Sequence, residues 1–294
     1  MKCLVTGGKG FIGSHVVELL VDEGHEVIVI DNETSVSNEI FYEVPGVAYY
    51  KEDMCDSSTH SYYDGVDWVF HLAARARIQA SLANPTDTFI NNVIGTQSVL
   101  EASRHAGVKK VVYSGSSSYY GLKNEIPNHE GQPSDCLNPY SLSKYQGEEL
   151  CRLYAGLWDV DAVILRYFNV YGPREPLRGQ YAPVVGIFKR QRSDGDLLTI
   201  VGDGEQRRDF TYVKDVARAN LLAAQSDINF EVLNIGSGTN YSVNEVAELI
   251  GGAAVNIPPR PAEARVTLAN NDKARRLLGW TPSVTLPDII NEYA

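Results

Sequence analysis

Long apolar runs are missing from this chain. None approaches the ~20 residues that a membrane-spanning helix requires, so no membrane partner is expected. Positive charge is in deficit: 26 Lys and Arg stand against 37 Asp and Glu, a formal net charge of −11. That balance argues against general nucleic-acid binding and against adhesion to an anionic surface, because both need a field of the opposite sign. It leaves room for a small anionic ligand held by local arginines. Cysteine is scarce and scattered. Cys3, Cys55, Cys136 and Cys151 show no CxxC spacing, so they read as reduced thiols of a cytoplasmic protein, and no metal site is expected. Repeats and low-complexity segments are absent too. No leader is expected, since Met1 runs within a few residues into a glycine-rich motif. What is there is an ordinary globular composition. The 294 residues are 44% hydrophobic and 21% charged, enough for one large domain or two intimate ones with a substantial core.

Residues 2–6 read as a short strand, and a glycine turn follows. Val16, Val17, Leu19 and Leu20 then recur at helical spacing until Gly24, and residues 26–30 form a buried strand ending at Asp31. That order is a βαβ unit. The pattern continues with strands over 47–50, 68–72, 108–114 and 162–166, and long helices over 86–106 and 139–157. Near-continuous apolar strands alternating with helices imply a parallel sheet covered on both faces. Beyond about residue 170 the texture changes to loops and short elements, read as a smaller mixed α/β substrate-binding region.

Two motifs carry the chemistry. In TGGKGFIG (6–13), Gly8, Gly10 and Gly13 fit G-x-G-x-x-G, and Gly7, Gly10 and Gly13 fit a three-residue spacing. Glycine lets the backbone approach a pyrophosphate, and the helix start supplies N–H groups and a positive dipole end. A lone match is weak; this one follows a strand, opens a helix and precedes Asp31 by 18 residues, close to the ~20 of dinucleotide sites. Asp31 should accept bonds from the adenosine ribose. No Arg or Lys follows it before Lys51, which favours NAD over NADP. The second motif is Tyr140-Ser141-Leu142-Ser143-Lys144, a phenol and an ammonium one helical turn apart. Such a pair arises easily by chance among 17 tyrosines. Yet a phenol of pKa ~10 is a poor base at neutral pH, and Lys144 beside it would favour phenolate. The hydroxyl-rich stretch 114–118 sits at the C-terminal end of a strand, where ligands bind in such sheets.

At this point the chain resembles the extended short-chain dehydrogenase/reductases, specifically nucleotide-sugar 4-epimerases of the UDP-galactose/UDP-N-acetylglucosamine type. The resemblance runs through TGGKGFIGSH (6–15), HLAA (71–74), NNVIGT (91–96), SGSSSYYG (114–121), PYSLSK (139–144), LRYFNVYGPR (165–174), VGDGEQRRDFTYV (201–213) and NIGSG (234–238). It implies a Rossmann-type doubly wound sheet, with an NAD-binding domain over 1–170 and a nucleotide-sugar-binding region over 171–294. Part of 209–240 is expected to pack back onto the first domain. It implies Tyr140 as acid/base, Lys144 as its tuner and Ser116 as the serine bonding the sugar hydroxyl. Around NAD it implies Gly7, Gly10, Phe11, Ile12, Gly13, Asp31 and Asn32, the adenine pair Asp53 and Met54, and Leu72, Ala73, Ala74, Asn91, Ser114 and Tyr167. Around a UDP-sugar it implies Ser117, Asn169, Tyr181, Ala182, Val184 and Thr267, with Arg208 and Arg260 on the diphosphate and Glu263 on the uridine ribose. The family's usual Gly-Asp is Ala262-Glu263 here, which weakens that last transfer.

The same scaffold also supports 4,6-dehydratases, decarboxylases and ketoreductases. Dehydratases of this family follow the active-site hydroxyl with Asp-Glu, and decarboxylases typically keep the Glu. Ser117 and Ser118 stand at these positions and disfavour both. Arg166-Tyr167-Phe168-Asn169 departs from the Arg-Phe-Phe-Thr of uronate epimerases. The resemblance therefore implies a neutral-sugar 4-epimerase acting through a transient 4-keto sugar, with a ketoreductase or a dehydratase variant as the alternative. A small Thr267 and the GQYAPVV segment (179–185) imply UDP-GlcNAc/UDP-GalNAc, with UDP-Glc/UDP-Gal as further substrates. Relatives pair the helices over 86–106 and 139–157 in a homodimer.

Overall fold

The computed structural model describes residues 1–35, 40–178, 182–259 and 264–293. Seven parallel strands form the central sheet. They are β1 (Lys2–Thr6), β2 (Glu26–Ile30), β3 (Ala48–Tyr50), β4 (Trp68–His71), β5 (Lys110–Ser116), β6 (Ala162–Tyr167) and a last strand, Phe230–Ile235. Their spatial order is last strand, β6, β5, β4, β1, β2, β3. The order reverses at β1, and that switch point is where ligands sit in doubly wound sheets.

The strands are apolar along their length because both faces are covered. One face packs Val5, Val29, Phe70 and Val163 under helices α1 (Phe11–Asp22) and α7 (Val213–Gln225). The other packs Leu4, Val69, Val111 and Ile164 under α4 (Gly95–Ala106) and α5 (Pro139–Trp158). Between β4 and α4 lie two short helices, α2 (Ile78–Ala83) and α3 (Pro85–Phe89). A third core, built on Val185, Phe188, Leu198 and Val246, sits under α6 (Val184–Asp194) and α8 (Val243–Ile250). The chain leaves the sheet after β6 and returns to it. α7 packs on α1, and Phe230–Ile235 pairs in parallel with β6.

Two elements differ from the pattern read in the sequence. The helix read over 86–106 is broken by a π-turn, Ile90–Ile94. The side chains at the turn explain it. Asn92 is buried and bonds outward to Arg75 and Ser143, and Gly95 lies so close to Met54 that a Cβ would meet Met54 Cε at 2.5 Å. Insertions of this kind recur at functional sites. The strand read over 108–114 is shifted to Lys110–Ser116, so Ser114 and Ser116 both belong to it and share one side of the pleat.

Candidate active site

The glycine turn is fixed by sterics. Gly7 has φ +70°, and a Cβ there would lie 2.7 Å from Ala73 N; a Cβ on Gly13 would lie 2.1 Å from Gly7 O. α1 starts at Phe11 with Gly10 as its N-cap, and no side chain caps its first N–H groups. These donors face the requirement of a pyrophosphate, so the cradle fits a dinucleotide. At the end of β2 the Asp31 carboxylate receives N–H bonds from Lys9 (3.0 Å) and Glu33 (2.9 Å). Burial raises its pKa, and those two N–H groups oppose the rise. Lys9 reaches this end from the turn itself. Its Nζ pairs with Glu33 (2.6 Å) and with Glu43, and Lys51 also pairs with Glu33 (2.7 Å). Both cations are thus held by carboxylates, in keeping with a ribose carrying free hydroxyls.

One cavity of about 540 Å³ runs from this turn to Thr267. Gly7, Gly10, Phe11, Ile12, Gly13, Asp31 and Asn32 line its first part, with Met54, Leu72, Ala73, Ala74 and Asn91 beside them. Asp53 stands one step back, accepting from Asn32 Nδ2 at 3.0 Å. Ser114, Ser116, Ser117, Tyr140, Lys144 and Tyr167 line the middle, and Asn169, Ala182, Val184, Arg208 and Thr267 line the far part. Tyr181, Arg260 and Glu263 lie outside the described residues. Among the described lining residues the only carboxylates are Asp31 and Glu52, against Arg75, Arg77, Lys144 and Arg208. An acidic protein therefore keeps a basic cleft, suited to phosphorylated ligands.

Tyr140 sits in the first turn of α5, which begins with a capping box between Asn138 and Ser141 and with Pro139 in the first turn. Its N–H donates to Ser81 Oγ at 3.1 Å. Lys144, one turn on, is buried with its Nζ 4.2 Å from the centre of the Tyr113 ring. Burial pulls the ammonium down to about 8, and Glu148 opposes that fall. Lys144 and the positive nicotinamide ring together are expected to favour phenolate. In the chain alone, burial holds Tyr140 above its ordinary value, while the Ser116 hydroxyl and the Arg77 guanidinium pull it back. Ser116 closes β5 and shares a 2.8 Å hydrogen bond with Ser118 Oγ. Below it, Ser114 Oγ donates to Tyr167 Oη (3.2 Å), which donates to Asn220 Oδ1 (3.0 Å).

At the far end Thr267 Oγ1 accepts from Asn169 Nδ2 (3.1 Å) and from the Asp209 backbone N–H (3.2 Å), which fixes the Thr267 and Asn169 side chains at the wall. Arg208 Nη1 donates to Arg207 O at 3.0 Å. Sequence reasoning overlooked Arg75 and Arg77. The available signal was their place directly after β4, at the C-terminal edge where such sheets bind ligands.

The model of the NAD dependent epimerase/dehydratase family matches residues 3–236. A UDP-glucose 4-epimerase of Mycolicibacterium smegmatis is 34% identical over 300 residues, covering 98% of this chain and 96% of the relative. The solved UDP-glucose 4-epimerase of Thermotoga maritima with UDP-glucose superposes with a TM-score of 0.94 at 36% identity, covering 100% of this chain and 98% of that one. The UDP-N-acetylglucosamine 4-epimerase of Methanobrevibacter ruminantium, in complex with UDP-N-acetylmuramic acid, gives 0.93 at 32% identity, covering 99% and 96%. With its sheet order, its glycine cradle and these likenesses together, the chain belongs to the NAD-dependent epimerase/dehydratase family.

Proposed function

We propose that this protein is a UDP-sugar 4-epimerase, an isomerase that inverts a neutral hexose at carbon 4 through a transient 4-keto sugar. The reading rests on one observation above all: Tyr140, Ser116 and Lys144 stand midway along a single cavity joining the glycine cradle to Asn169, Arg208 and Thr267. NAD, when bound, supplies the acceptor and then the donor of hydride at carbon 4. The chain's own residues handle the proton and the geometry. Tyr140 takes the proton of the carbon-4 hydroxyl, directly or through Ser116, and later returns it. Lys144 holds the nicotinamide ribose. Arg208 and Arg260 anchor the diphosphate and Glu263 the uridine ribose, leaving the hexose loose enough to present its other face.

Elimination of water asks for a carboxylate near the acid/base, and among the described lining residues none stands by Tyr140: Ser117 and Ser118 occupy that wall. This favours epimerisation over 4,6-dehydration. The short Thr267 side chain supports UDP-GlcNAc and UDP-GalNAc as substrates beside UDP-Glc and UDP-Gal. We further propose a cytoplasmic homodimer. Its four cysteines are all free thiols, and among the described residues no helix is long and apolar enough to cross a membrane.

The test is direct. Purified protein is incubated separately with UDP-GlcNAc, UDP-Glc and UDP-glucuronate without added reductant, and products are resolved by NMR. Carbon-4 epimers of the first two, with no lasting change in nicotinamide absorbance, are expected. A 4-keto-6-deoxy product or stoichiometric build-up of reduced cofactor would overturn the reading.

A further inference from the structure

Two arginines enter the cleft on the segment leaving β4, and the chemistry proposed so far uses neither. Arg75 is committed elsewhere: its Nε donates to Asp87 (2.7 Å) and its Nη1 to Thr34 Oγ1 (2.8 Å). Arg77 is the N-cap residue of α2 and lines the same cavity as Tyr140 and Ser116. Its segment is clamped onto the first turn of α5 by two chains of hydrogen bonds. In one, Tyr140 N donates to Ser81 Oγ (3.1 Å) and Ser81 N donates to Arg77 O (3.0 Å). In the other, Asn92 grips both backbone groups of Arg75 (2.7 and 3.2 Å) and donates to Ser143 Oγ (2.9 Å), which donates to Tyr140 O (2.8 Å). Arg77 and Tyr140 are therefore held in one register by parts of the chain that are far apart in sequence.

We propose that Arg77 is a positioning residue for the acid/base step, its guanidinium furnishing the fixed positive charge that stabilises the Tyr140 phenolate. The inference rests on the reading of Tyr140 as the acid/base. Arg77 is the charged group that draws the buried phenol back toward its ordinary value. Lys144 is less suited to that task. Burial brings it down to about 8, so its charge fades as pH rises, whereas a guanidinium keeps its charge throughout. The other titratable groups around the pair are Tyr113 on β5, Lys144 and Glu148 on α5, Tyr167 on β6, Glu175 after β6 and Lys189 on α6. Glu175 is the counter-charge to Arg77. Burial moves it up to about 7, against the pull of Lys189, so Arg77 acts most fully below that pH.

The experiment uses the NAD-loaded enzyme carrying ¹³Cζ-tyrosine, with the Tyr140 resonance assigned by Y140F. Wild type, R77Q, R77M and R77K are titrated, and pH profiles of kcat and KM are recorded. Both neutral variants should move the Tyr140 midpoint and the acidic limb of kcat upward by about one pH unit, with a roughly tenfold loss of turnover at neutral pH that recovers toward alkaline pH. KM should change less than about twofold, and R77K should restore both readouts. An unmoved Tyr140 midpoint in R77Q and R77M overturns the inference. So does a raised KM with an unshifted profile, which would make Arg77 a sugar contact. The titration needs no turnover, so failure of the epimerase reading would show separately, as absent product with the midpoint still shifted.

Discussion

Single side chains in this protein are defined by what burial does to them. Glu175 is buried with one oxygen loosely paired to Lys189 at 3.4 Å and the other without a partner. Burial raises its pKa from 4.5 to about 7, chiefly against the Lys189 charge. The folded chain thus keeps a proton that the unfolded chain surrenders, so stability is greatest below about 4.5 and falls as pH rises through about 7. E175Q mimics the protonated form and should abolish that slope. Between pH 5 and pH 8 wild type should lose roughly 2–3 kcal/mol relative to E175Q in urea melts. Parallel slopes for the two proteins would show that Glu175 stays ionised. Thr267 is defined by contact in place of charge. Its hydroxyl is held by Asn169 and Asp209, so a larger side chain there must project into the cleft. T267Y should cut kcat/KM for UDP-GlcNAc at least about tenfold while leaving UDP-Glc within about threefold. Equal losses on both sugars would detach this residue from carbon-2 selectivity.

At the scale of elements, the glycine turn is the least forgiving. G13A would drive a Cβ to 2.1 Å from Gly7 O, which backbone cannot yield without opening the β1–α1 turn. Expected outcomes are loss of NAD binding by calorimetry and a fall in thermal midpoint; retention of wild-type NAD affinity would refute the close packing. That turn was readable beforehand because its parts are contiguous: β1, three glycines, α1, β2 and Asp31 follow in order, and each carries its own local signal. The same holds for Tyr140 and Lys144, one turn apart on α5. The misread elements depend on distant partners. Nothing near residues 90–94 announces a π-turn, since its buried Asn92 answers to Arg75 and Ser143. Arg77 was overlooked for the same reason. Its place after β4 was visible in the chain order, but its sharing a cavity wall with Tyr140 follows from β4 lying next to β5 and from Ser81 meeting the start of α5, and no spacing encodes that. Helical spacing shows that Tyr140 and Lys144 are adjacent and hides their burial, which raises the phenol and lowers the ammonium.

For the molecule as a whole, the open question is what covers its apolar helical face. Ile90 and Ile94 on the π-turn and Leu153 and Leu157 on α5 are 52%, 53%, 43% and 63% exposed. Each pair has i, i+4 spacing, and the π-turn and α4 both pack against α5, so the four residues lie on one flank of the sheet. A second copy turned by a two-fold axis would set the two helices of one chain on the same two of the other, a self-complementary interface in which every residue counts twice. Burying a leucine of this size contributes about 1.5–3 kcal/mol, so a charge at both positions in both copies removes more than such a dimer can lose. Wild type should therefore sediment at twice the 32.4 kDa chain mass, and L153E/L157E at the chain mass itself. The thermal midpoint of wild type should rise with concentration, and that of the double variant should not. A wild type that sediments at 32.4 kDa across the micromolar range would show that this face meets something other than a second copy.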